Sequence, residues 1–123
     1  MKKIILLLLL SSSTFLVHAQ LTNTKWKGTL KLDNPLDAFF DFKNDTLFVT
    51  SVADSSTIEI MTYTANDSSF TIQKISGQSD CDGTTVGKYK FKIDNNGMNI
   101  VLISDDCDDR SSVLNNTNWI KAQ

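Results

Sequence analysis

The chain has 123 residues, 41% of them hydrophobic, and a formal net charge of −2 at pH 7. This length predicts one domain. A mildly acidic chain without a basic cluster does not favour binding to nucleic acid or to an anionic membrane surface. The only histidine, His18, lies near the N-terminus, outside the predicted domain, which argues against histidine-based triads and metal sites.

The first nineteen residues have the pattern of a bacterial export signal. Lys2 and Lys3 give a positive start, residues 4–10 are wholly apolar, and Val-His-Ala at 17–19 suits signal peptidase. A membrane anchor would need about 20 apolar residues, and a run of serines interrupts this segment too early. We therefore predict a signal peptide at residues 1–19 and a mature domain at 20–123. The mature chain has ten basic and fourteen acidic side chains, a formal charge of −4, and is expected in the periplasm or outside the cell, without a membrane span.

Apolar and polar residues alternate along the mature chain, and turn signals recur at a spacing of roughly ten residues. A period of two is typical of strands that bury one face. It predicts eight strands, at residues 24–32, 38–43, 47–49, 57–64, 70–74, 87–93, 98–102 and 118–121, with a short helical turn at Asp108–Leu114 before the last strand. In the fourth strand we expect Ile58, Ile60 and Thr62 to point inward.

The regular, short connections favour an all-β antiparallel meander that closes into an eight-stranded up-and-down barrel. A β-sandwich is the structural alternative, because the same alternation fits it. The predicted inward residues are bulky, and a barrel of this size either encloses a small ligand or is filled by its own side chains. The candidates for the barrel interior are Trp26, Gly28, Phe40, Phe42, Ile58, Ile60, Phe70, Tyr89, Phe91 and Leu102.

Cys81 and Cys107 flank the hairpin formed by the sixth and seventh strands. The turn of this hairpin, at residues 94–97, reads Asp-Asn-Asn-Gly, and Asn and Gly tolerate the positive φ of tight hairpin turns. Since one hairpin separates the two cysteines, both lie at its open end, and an exported chain favours a disulfide between them. Closing a loop of about 27 residues would stabilise the fold by roughly 3.5 kcal/mol.

Two parts of the chain resemble the lipocalins and their small bacterial relatives. The first is Trp26-x-Gly28 on the first strand. The second is the ending found in bacterial lipocalin-like domains, which consists here of Gly87, Tyr89, Phe91, Asp106, Cys107, Arg110, Leu114 and Trp119. The resemblance implies a calycin-type barrel with a small apolar molecule held inside. The motif Leu-x-Asn-Thr-x-Trp also occurs twice, at residues 21–26 and 114–119, on strands that a closed barrel would make neighbours.

Alternate turns of a meander lie at the same end, and here the end that carries the disulfide is rich in aspartate. The predicted acidic rim consists of Asp54, Asp80, Asp82, Asp105, Asp106, Asp108 and Asp109. Such carboxylates could hold Ca²⁺, but the spacing lacks an EF-hand pattern, and a solvated rim is the simpler interpretation. We predict no metal site and no cofactor. Arg110 is expected to pair with this rim or to stack on an aromatic ring.

These features favour a binding protein over an enzyme. The leading expectation is an exported, monomeric, lipocalin-like protein that holds a small apolar or neutral molecule in the barrel. The alternative is a protein-interaction module of the cell envelope, which presents the acidic rim to a cationic partner and has a filled barrel. An apolar pocket above about 300 Å³, open at one end, would favour the ligand, whereas a barrel packed solid would contradict it.

Overall fold

The computed structural model describes residues 21–122, so the predicted signal peptide at 1–19 lies outside the described residues. Eight strands and one short helix follow one another along this part of the chain. They are β1 (Thr24–Leu30), β2 (Leu36–Phe42), β3 (Thr46–Ser51), β4 (Thr57–Ala65), β5 (Ser69–Gly77), β6 (Gly87–Asp94), β7 (Gly97–Asp105), α1 (Asp108–Leu114) and β8 (Thr117–Lys121).

Each strand pairs antiparallel with the next, and β8 pairs with β1, so the sheet closes into an eight-stranded barrel. The predicted all-β up-and-down barrel with a helix before the last strand is confirmed, and the sandwich alternative is wrong. Closure brings Gly28 opposite Trp119. A side chain at position 28 would meet the Trp119 ring, which explains why glycine lies there.

The connections β1–β2, β3–β4, β5–β6 and β7–β8 all lie at the end of the barrel that carries the two cysteines, called here the disulfide end. Aromatic side chains fill the middle of the barrel and its opposite end. Phe40 stacks on Trp119 with ring centroids 3.9 Å apart, and Phe70 stacks on Tyr89 at 5.7 Å. The aromatic side chains in this part of the barrel therefore pack against one another rather than around a ligand.

The predicted register of β4 is wrong. The buried side chains of this strand belong to Glu59, Met61 and Tyr63, whereas Ile60 is half-buried and Thr62 is exposed. Ile58 is also half-buried, although it packs against the core. Both rows of this strand carry large apolar residues, so alternation alone does not decide which row faces inward, and a slip of one residue exchanges the faces. Register shifts between β4 and its neighbours accompany the change.

The repeated Leu-x-Asn-Thr-x-Trp motif forms the same hydrogen-bonded unit twice, on the neighbouring strands β1 and β8. In the first copy the Trp26 indole N–H donates to Thr24 Oγ1 at 2.8 Å, and the Thr24 hydroxyl donates to the Leu21 carbonyl oxygen at 2.5 Å. The second copy has the corresponding bonds, at 2.9 and 2.8 Å, over Trp119, Thr117 and Leu114. Because β1 and β8 run antiparallel, the two buried leucines lie towards opposite ends of the barrel.

Candidate binding cavity

Helix α1 is fastened across part of the disulfide end. As the sequence predicts, Cys81 and Cys107 are at disulfide distance, with their Sγ atoms 2.03 Å apart. Cys107 is the residue that caps the N-terminus of α1, so the bridge joins the helix to the β5–β6 connection. In addition, the backbone N–H of Asp80 donates to Asp109 Oδ2 at 3.0 Å. Both links hold α1 in place against the barrel.

A cavity of about 270 Å³ lies at this end, between α1 and the ends of β1, β3 and β4. Most of its wall is apolar. The apolar side chains come from four strands and from the helix, and include Leu30, Phe40, Val49, Ile58, Met61 and Leu114. The cavity therefore lies above the packed aromatic core, with Phe40 between the two.

A buried ion pair supports the helix side of this cavity. Arg110 binds Asp105 with both arms of its guanidinium group, Nε to Oδ2 at 2.6 Å and Nη2 to Oδ1 at 2.9 Å. The Tyr89 hydroxyl donates to Asp105 Oδ2 at 2.5 Å, and the Cys107 N–H donates to Oδ1 at 2.9 Å. A Cβ at Gly87 would lie only 2.5 Å from Asp105 Oδ2, so glycine leaves the space that this pair occupies.

The ionisation of this group follows from burial and hydrogen bonding together. Burial alone would raise the pKa of Asp105, but hydrogen bonds from Arg110, Tyr89 and the Cys107 N–H outweigh it and lower the pKa. Burial likewise opposes the charge of Arg110, yet its bonds to Asp105 raise the pKa of the guanidinium. Burial and the bond to Asp105 raise the pKa of Tyr89 well above its ordinary value. Asp105 and Arg110 therefore form a charged pair that is neutral overall.

Three buried polar atoms belong to residues that line the cavity. They are Glu59 Oε1, Ser79 Oγ and Arg110 Nη1, and within residues 21–122 none of them has a hydrogen-bond partner. The Lys74 ammonium lies 3.8 Å from Glu59 Oε1, too far for a hydrogen bond, and donates instead to the backbone oxygen of Ser79. Buried polar groups without partners are rare in folded proteins, so three on one cavity mark it as a candidate site for a polar ligand group.

Of the ten predicted interior residues, only Phe40 and Ile58 line this cavity. Most of the others belong to the packed core: Trp26, Phe42, Phe70, Tyr89 and Phe91 are buried, and Leu102 packs against them. The sequence interpretation missed Glu59 and Ser79 and placed Arg110 only near the rim. One signal was present, because Glu59 is the only glutamate and Arg110 the only arginine in the chain.

The predicted acidic rim needs one correction. Six of its seven aspartates are exposed, but the Asp105 side chain is fully buried against Arg110. Sequence alone could not separate Asp105 from its exposed neighbour Asp106, because the difference lies in which of them faces the arginine. Hydrogen bonds from Ser56 and Thr84 lower the pKa of Asp54 and Asp82, respectively. In the described range, no three His, Cys, Asp or Glu side chains form a group that could hold a metal ion.

A wider depression of about 840 Å³ lies at the opposite end of the barrel, beside the β6–β7 turn. It is lined mainly by exposed turn and edge residues such as Asp94, Asn95, Asn96 and Lys121. None of the unpartnered buried atoms of the described chain belongs to its lining. The cavity at the disulfide end is therefore the better candidate for a binding site.

Fold and site together define a closed eight-stranded antiparallel β-barrel with a small, mostly apolar cavity beneath a helix. No family model, curated protein or solved structure gives a significant match to the chain. The lipocalin resemblance therefore remains a prediction that depends on the motifs at the two ends of the sequence. No helix within residues 21–122 is long and apolar enough to cross a membrane.

Proposed function

We propose that this chain is an exported lipocalin-like binding protein that holds a small apolar or neutral molecule at the disulfide end of its barrel. The observation that carries the proposal is the cavity of about 270 Å³ with apolar walls, in a barrel that is otherwise tightly packed. Export is supported by the N-terminal sequence pattern and is compatible with the cysteine pair.

The size of the cavity limits the ligand. Its volume of about 270 Å³ falls just below the range of roughly 300–1,000 Å³ that is usual for ligand pockets. A short aliphatic chain with a compact head group fits such a space better than a long fatty acid. The volume is smaller than the value of about 300 Å³ that would favour a ligand, so the titrations below also test the alternative of a protein-interaction module with a filled barrel.

A cavity-filling variant tests the proposal. Val49 is buried and lines the cavity, so Val49→Phe places a ring in the ligand space. We expect this change to weaken binding of 1-hexanol, measured by titration calorimetry, by about tenfold or more, which corresponds to at least about 1.4 kcal/mol. Val101→Phe is the matched control, because Val101 is 38% exposed on β7 and lies outside the cavity lining.

Native mass spectrometry of the purified protein complements the titration. A co-purified small molecule that is lost in Val49→Phe and retained in Val101→Phe would support the proposal. Equal binding of 1-hexanol by both variants and the parent protein would contradict it, as would no measurable binding of any short-chain probe. Thermal unfolding of each variant shows whether the protein is folded before its binding is interpreted.

A further inference from the structure

The three unpartnered atoms of the cavity differ in what they can bind. Arg110 Nη1 can only donate a hydrogen bond, an ionised Glu59 Oε1 can only accept one, and the Ser79 hydroxyl can do both. The side chains of Arg110 and Glu59 are 4% and 10% exposed, so bulk water does not readily supply their partners. A bound molecule that satisfies them must present both an acceptor and a donor.

The charges around these atoms are already balanced. Asp105 neutralises Arg110 through two hydrogen bonds, and Lys74 lies close enough to Glu59 to offset its charge. An ionic head group would therefore enter the cavity without an opposite charge left over to compensate its desolvation. A carboxylate would satisfy Arg110 Nη1 but lie near the Glu59 carboxylate. An ammonium group would satisfy Glu59 but leave the guanidinium N–H unpaired.

We propose that the cavity selects a neutral head group that carries a hydrogen-bond acceptor and N–H donors side by side, a primary carboxamide or a related ureide, on a short aliphatic chain. The head group accepts from Arg110 Nη1 and donates to Glu59 Oε1, with Ser79 as an additional partner. The chain lies against Leu30, Val49 and Met61. This inference rests on the proposed function and adds the chemical class of the ligand.

Four probes of equal chain length test the inference by titration calorimetry at neutral pH: hexanamide, 1-hexanol, hexanoate and hexylammonium. We expect hexanamide to bind about tenfold more tightly than hexanoate or hexylammonium, because each ion leaves one buried group unpaired. 1-Hexanol has a weaker donor and acceptor on a single oxygen, so its affinity should lie between that of hexanamide and those of the two ions.

Glu59→Gln provides the decisive variant. The Gln side chain has a similar shape but can donate from its amide nitrogen, and it leaves the Lys74 charge unopposed. Affinity for hexanoate should rise about tenfold, since the cavity would then offer it donors and positive charge. Asp106→Asn is the matched control, because it removes one negative charge from an exposed residue of the acidic rim that does not line the cavity. The preference of this control variant for hexanamide over hexanoate should remain within about twofold of the parent value.

The salt dependence of binding distinguishes selectivity due to the buried Glu59 carboxylate from selectivity due to the exposed acidic rim. Salt screens interactions between exposed charges much more than those of buried groups. The preference for hexanamide over hexanoate should therefore persist in 1 M salt, where the Debye length is about 3 Å. If the preference disappears in high salt, or if Glu59→Gln leaves it unchanged, the inference is wrong.

The titrations give different results if the head-group inference is wrong and if the proposed function is wrong. Binding of all four probes with similar affinity, or tightest binding of either ion, would overturn the choice of head group and leave a binding cavity in place. Absence of binding by every probe would overturn both. If Glu59→Gln does not fold, the salt dependence of the parent protein still decides between the two sources of selectivity.

Discussion

At the scale of single residues, the only arginine and the only glutamate of the chain bring charged groups to the cavity wall. Arg110 is buried with Asp105, and Glu59 is buried near Lys74. Burial of charge costs several kcal/mol per ion unless each ion is paired and hydrogen-bonded. The Asp105–Arg110 pair meets this condition with two mutual bonds and three further partners. It therefore fixes the position of the guanidinium, whose Nη1 has no hydrogen-bond partner among the described residues.

Asp105→Asn should lower the free energy of unfolding by about 3–5 kcal/mol, because it leaves a buried guanidinium without its counter-charge. Asp106→Asn, the adjacent exposed position, should change it by no more than about 0.5 kcal/mol. Urea unfolding at neutral pH measures both. Equal small effects of the two changes would show that Asp105 does not carry the ion pair.

The same pair predicts a pH dependence with a definite sign. The folded-state pKa of Asp105 lies below its ordinary value of 3.8. The stability that it contributes is therefore fully present above about pH 4 and is lost as the pH falls through the folded-state pKa. The parent protein should lose this contribution in urea unfolding below about pH 4, and Asp105→Asn should lack that part of the acid sensitivity.

Sequence reasoning reached this site only in part, for physical reasons. It predicted that Arg110 would pair with a carboxylate or stack on a ring, and the arginine does pair with Asp105. It could not choose among neighbouring aspartates, since Asp105 and Asp106 differ only in the direction of the side chain. The inward row predicted for β4 does not include Glu59, because both rows of β4 are partly apolar and alternation does not encode the register shifts beside it.

At the scale of elements, α1 depends on its attachments more than on its own sequence. It has seven residues and no side-chain hydrogen bond at its N-cap. Isolated helices of this length are unstable in water. Asp108 and Asp109 in its first turn favour the helix dipole, and the buried side chains of Arg110 and Leu114 anchor it. The disulfide at Cys107 then fixes the end at which the helix begins.

Cys107→Ser should therefore lower the free energy of unfolding by about 2–5 kcal/mol, because it removes the cross-link from the unfolded chain. Circular dichroism should show that the strand content is largely retained, since all eight strands pair without the bridge. The parent protein treated with a reductant is the matched comparison and should show the same loss. Identical urea midpoints for the reduced and oxidised parent protein would contradict this account.

The order of the strands and the placement of their connections were the features best predicted from the sequence. Short turns of Asn, Asp, Ser and Gly leave little choice but an antiparallel meander, and the hairpin between β6 and β7 follows directly from its Asn-Gly turn. The cavity was not predictable in the same way. Its volume depends on how the side chains of several strands and α1 meet, which alternation along one strand does not specify.

At the scale of the whole molecule, the barrel has two unlike halves. The half towards the β6–β7 turn is filled by aromatic rings that pack edge-on or at a tilt. The half towards the disulfide contains the cavity, and its connections carry the six exposed aspartates of the predicted acidic rim. The aspartates at this end repel an anion that approaches the cavity, whereas they do not repel a short neutral molecule.

The two tryptophans of the repeated motif should differ in how their fluorescence responds to a ligand in the cavity. Both indoles are almost fully buried and bonded to threonine, so both should emit at short wavelength in the folded protein. Only Trp119 stacks on Phe40, whose ring forms part of the cavity wall. Trp26→Phe should therefore keep a change in fluorescence when 1-hexanol is added, and Trp119→Phe should lose it. An equal response from the two single-tryptophan proteins would contradict this assignment. If the two proteins respond as expected, the fluorescence of Trp119 reports whether the cavity is occupied, and binding can be followed without an added label.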